Sequence, residues 1–132
     1  MIKKIFYFFF FLCFLNSFSQ KADLTSAILA FQKEDVVSAE KWINIASQKI
    51  ESGSVLKPKI LSKFFYYKGL IYLKIFQQSL SNSTDFINLD IASNSFMSDA
   101  VLKSSFSKKS NTELLRCAYF YVDNAYKDYE NK

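Results

Sequence analysis

The chain has 132 residues, with 17 Lys and Arg against 12 Asp and Glu, two Cys and no His. Without His there is no Ser-His-Asp or Cys-His arrangement and no His-based metal site. Two Gly and one Pro are too few for a turn-rich β-sandwich or barrel, and 22% charged beside 50% hydrophobic residues is the balance of a folding chain.

The N-terminus reads MIKKIFYFFFFLCFLNSFSQ. Lys3 and Lys4 precede an unbroken apolar run from Ile5 to Leu15, and Ser17 and Ser19 stand three and one residues before a cut ahead of Gln20. That is the pattern of a secretory signal peptide over residues 1–19. The run is too short for a spanning helix, which takes about 20 residues. Cys13 sits mid-run behind bulky side chains, so no lipid anchor is expected. The sequence thus predicts an exported protein, periplasmic or secreted, whose mature part is a single helical domain over 20–132 with no stable membrane span. That part carries 15 basic against 12 acidic residues. Its Lys residues are scattered singly, without the clustered stripe that nucleic acid requires, so no nucleic-acid partner is expected. Cys117 is then alone, read as a small buried hydrophobe on a helix rather than a reactive thiol.

From Ala22 to Lys33, Leu24, Ala27, Ile28 and Phe31 recur at three- and four-residue steps, the period of one helix face. Glu34-Asp35 breaks the period as a tight turn. Val36, Ala39, Trp42/Ile43, Ala46 and Ile50 mark a second helix that Gly53 stops. Pro58 suits the first turn of a third helix, Lys59 to Gln78, which is apolar around much of its girth and so lies between neighbours. Ser79 to Asp90 reads as a polar loop. A fourth helix runs from Ile91 to Leu102, with Ala92, Phe96, Ala100, Leu89 and Met97 inward. Ser104 to Asn111 reads as a second loop. Thr112 caps a last helix through Leu114, Leu115, Ala118, Phe120/Tyr121, Ala125 and Tyr129. The expected fold class is all-α: antiparallel helical hairpins forming a short solenoid of about five helices.

The small–large–small step Ala39, Ile43, Ala46 in the second helix is followed in the third by Phe65, Gly69 and Tyr72 at steps of four and three. Ala92 and Phe96 repeat the step of four. Gly inside a helix costs roughly 1 kcal/mol against Ala, so Gly69 implies close contact with a neighbouring helix. On these residues, and on the stretch from Lys63 to Tyr72 (KFFYYKGLIY), the chain resembles the tetratricopeptide repeat family over most of residues 22–129. The resemblance implies paired helices and a non-catalytic role in binding a protein or peptide, as a scaffold or adaptor. Lys68, where the family keeps an apolar residue, is the first choice for a partner contact, with Asn44 and Asn124 as further polar groups on helix faces. The last helix is either a cap on the solenoid or the first helix of a repeat that continues beyond residue 132. Without a partner helix, Tyr119, Tyr121, Tyr126 and Tyr129 would be partly exposed, which favours a missing continuation or a bound partner.

No catalytic, cofactor-binding or metal-ligating residue is predicted. Glu34 and Asp35 read as a solvated turn, Asp85, Asp90 and Asp99 as loop and helix-start residues with Asp90 an N-cap, and Asp123, Asp128 and Glu130 as a solvated face. No calcium loop or Gly-rich phosphate loop is present in the sequence. The other readings left open are a small secreted bundle with an inhibitor-like or membrane-apposed role and, more remotely, an enzyme working with carboxylates alone.

Overall fold

The structure is a computed structural model that describes residues 21–53, 55–79 and 86–130. The signal peptide and Cys13 lie outside the described residues, as does Asp85. The fold is all-α, with five helices and no strand among the described residues. They are α1 (21–32), α2 (Val36–Glu51), α3 (Pro58–Ser79), α4 (Ile87–Val101) and α5 (Ser107–Glu130). Two compact units divide between Lys57 and Pro58, α1–α2 in the first and α3–α5 in the second.

In the first unit α1 and α2 form an antiparallel hairpin. Glu34 takes a left-handed φ of 61° at the turn, and Asp35 caps α2 by accepting from the Ser38 N–H at 3.0 Å. Hydrogen bonds from the Ser38 side chain and backbone hold the Asp35 carboxyl below its ordinary range. Leu24, Ala27 and Ile28 on α1 and Val36, Ala39, Ile43 and Ala46 on α2 are buried, as their spacing predicts. At the far end Lys49 and Asp23 pair at 2.5 Å and fix the antiparallel register. Gly53 lies one residue past the α2 cap with φ 98°, which an L side chain rarely adopts.

In the second unit α3 packs on α4 and α4 on α5, each pair antiparallel. Pro58 is the first residue of α3, where its missing N–H costs nothing. Gly69 meets the fully buried ring of Phe96: a Cβ there would stand 2.7 Å from Phe96 Cδ1 and Cζ. This is the close helix contact that the sequence predicts for Gly69. Rings continue the packing toward α5, with Phe76 5.5 Å from Phe120 and Tyr66 5.1 Å from Phe106 between centroids.

Three expectations are corrected. Residues 87–90 and 107–111 are helical, not loop. Asp90 is not an N-cap: Phe86 occupies that position without a side-chain cap, and Asp90 lies in the first turn of α4. Thr112 is inside α5, its hydroxyl bonded back to the Lys108 carbonyl at 3.2 Å. In the Ser-rich start of α5 the polar groups find partners on the helix or across it: Ser107 and Ser110 bond Asp99, and Thr112 bonds back to Lys108.

Candidate interaction surfaces

The joint between α4 and α5 is built around one buried carboxylate. Asp99 is 0% exposed although the fold expectation made it a helix-start residue. It follows Leu89, Ala92 and Phe96 at helical spacing and so shares their inward face. Its carboxylate accepts from Ser62 on α3, from Ser104 in the connection at 3.3 Å and from Ser110 on α5 at 2.5 Å. Its backbone carbonyl accepts from Ser107 at 3.0 Å. A buried carboxylate is costly unless several donors converge on it, and here three elements supply them. At the other end of the pair Tyr121 donates to Asp90, and burial together with that bond pushes the Tyr121 hydroxyl above its ordinary range.

These bonds, together with the Phe76–Phe120 and Phe86–Tyr121 ring contacts, lie on the inner face of α5. Its buried positions are Ser110, Cys117 and Asn124, two of the three polar. Burial, reinforced by the nearby Glu113 charge, pushes the Cys117 thiol up to about 11, so it is protonated and unreactive near neutral pH. The opposite face shows Leu115, Tyr119, Val122, Tyr126 and Tyr129, each 63–80% exposed. Leu115, Ala118, Ala125 and Tyr129 are therefore outward, not part of the packed face. Met97 on α4 is likewise exposed, displaced from the inward stripe by Ser95, Phe96 and Asp99.

A second, smaller feature lies between α3 and α4. Lys68 lines an open pocket of about 240 Å³ with Ile91, Asn94, Ser95 and Ser98. Its ammonium stands 5.7 Å from the Phe64 ring centre. Asn44 is half-buried on α2 of the first unit. Asn124 is corrected as a displayed contact: it is 9% exposed, and its amide donates to the Phe120 carbonyl at 2.7 Å. The packing set is mostly internal. Ala39, Ile43, Ala46, Gly69, Tyr72, Ala92 and Phe96 are buried, and Phe65 is half-buried.

Sequence reasoning missed the Asp99 cluster because Ser62 and Asp99 are 37 residues apart. The available signal was the position of Asp99 in the apolar register of α4. Among the described residues no group of three or more Cys, Asp or Glu side chains could hold a metal ion, and no helix is long and apolar enough to cross a membrane. No family model matches the chain, and no curated protein or solved structure matches it.

Proposed function

We propose that this protein is a non-catalytic helical scaffold, exported from the cytoplasm, that binds a protein partner through the outer face of α5. The observation that carries this reading is the row of five large apolar side chains on α5, which α3 and α4 leave uncovered within their unit. A contiguous uncovered apolar face of this kind marks an interaction site on a water-soluble surface. The Tyr-rich composition suits recognition, because a Tyr ring offers apolar area and its hydroxyl stays wet. Export rests on the pattern of residues 1–19. The tetratricopeptide-like reading is supported by the Gly69–Phe96 contact between paired helices. The Lys68 pocket is too open and shallow to carry a small-molecule site and serves better as a secondary polar contact.

Affinity capture from an envelope extract tests this, with the wild-type protein and a Tyr119→Glu/Tyr126→Glu variant as baits. A protein retained by the wild type and lost from the variant is the expected result. Identical captures by both baits would remove the assignment to α5.

A further inference from the structure

The outer face of α5 has an internal pattern that points to one partner. Leu115, Tyr119, Val122, Tyr126 and Tyr129 follow one another at steps of four, three, four and three. That is the seam of a two-helix coiled coil, where apolar residues recur every 3.5 positions. With Thr112, the seam covers about 26 Å of helix at 1.5 Å per residue.

We infer that this seam is occupied by a second copy of the same helix, running antiparallel. The inference rests on the α5 reading above and names its partner. Placing the two-fold axis between residues 120 and 121 sets every large seam residue against a smaller one. Tyr119 lies opposite Val122 of the second copy, Tyr126 opposite Leu115, and Tyr129 opposite Thr112. A parallel pairing would instead stack Tyr119 on Tyr119 and Tyr126 on Tyr126, with Val122 on Val122 between them, leaving alternating overfilled and underfilled layers.

The flanks agree with the antiparallel pairing. On one side of the seam stand Arg116 and Asp123, and the two-fold brings Arg116 of each copy beside Asp123 of the other. Both are within reach of solvent, and their existing bonds are short-range ones on the same helix: Arg116 to Glu113 at 3.5 Å, and Asp123 Oδ2 to Lys127 at 2.8 Å. On the other side Ala118 and Ala125 are exposed and would lie alongside each other. Their small size lets the helix backbones approach closely. In a parallel pair Arg116 would face Asn111 and Ala118, with no acidic partner.

Sedimentation equilibrium on the purified full protein tests the inference, with circular dichroism to confirm that each variant is folded. The wild type should dimerise. Val122→Glu, at the centre of the seam, should weaken dimerisation at least tenfold while leaving helix content unchanged. Arg116→Glu and Asp123→Arg should each weaken it, and the double variant should recover most of the loss, because the swapped pair is again complementary between copies. Orientation is read by crosslinking. A mixture of Leu115→Cys and Tyr126→Cys proteins should form a mixed disulfide, whereas Leu115→Cys alone should not crosslink to itself, its two copies being about 16 Å apart along the axis. A monomer at every concentration, a dimer that survives Val122→Glu, or a self-crosslinking Leu115→Cys would each overturn the inference. A monomer that still captures an envelope protein through Tyr119 and Tyr126 would overturn the second copy and leave the scaffold reading standing.

Discussion

Helices α2 and α5 both carry a row of apolar residues, but they turn it in opposite directions. In α2 the row Val36, Ala39, Ile43, Ala46 is inside. In α5 the inside is Ser110, Cys117 and Asn124, and the row Leu115, Tyr119, Val122, Tyr126, Tyr129 is outside. The difference lies in what holds each helix. Apolar burial docks α2, contributing roughly 25 cal/mol per Å² removed from water. Hydrogen bonds from Ser107 and Ser110 to Asp99, and from Tyr121 to Asp90, contribute to docking α5. A helix anchored through polar contacts keeps its apolar row for another surface.

Substitutions can break or sharpen this contrast. The largest effect is expected inside α2. Ile43→Ala empties a site that is 0% exposed and should cost about 2–5 kcal/mol in urea unfolding. Asp99→Ala should cost about 3 kcal/mol, because it strips three serine hydroxyls of their charged acceptor. A loss under about 1 kcal/mol would mean that α5 is held by its rings instead. Gly69→Ala should cost about 1–3 kcal/mol, since the added methyl meets a ring that is itself fully buried.

The thiol of Cys117 gives a pH signature of the α5 inner face. Its folded value of about 11 lies above its ordinary 9.0, so the protonated form is the one the fold favours. Its contribution to stability is complete below pH 9 and is lost as pH rises toward 11. Wild type should therefore lose stability relative to Cys117→Ala across that window, and equal slopes for the two proteins would show that the thiol is not desolvated. The smallest effect belongs to the outer face. Tyr126→Ala should change monomer stability by no more than about 0.5 kcal/mol when measured at concentrations too dilute for association. A larger loss there would erase the contrast with α2.

Local signals carried much of the architecture. The 3.6-residue period marked all five helices. Pro58 opens α3 and Gly53 closes α2 for reasons of backbone geometry alone, which neighbouring residues cannot change. Gly69 announced a close approach because a mid-helix Gly has a cost that something must offset, although Phe96 as the ring that fills the space emerged from packing. The ends of α4 and α5 were misjudged because Ser, Asn and Thr favour loops only when no better partner exists. Here Thr112 and Ser98 bond back to their own helix and Ser107 bonds to Asp99.

The facing of α5 was a decision that periodicity could not make. Its residues place apolar groups on one side and a mixture of small, polar and aromatic groups on the other, and either side satisfies a helical period. The inner side meets two acceptors on α4, Asp90 and Asp99, and the Phe76 and Phe86 rings, all distant in sequence and aligned only once α3 and α4 are in place. Helix existence and turn geometry follow from residues within a few positions of one another, so they are written locally. The choice of which face to bury depends on where distant hydrogen-bond partners end up, and that is a property of the assembled fold.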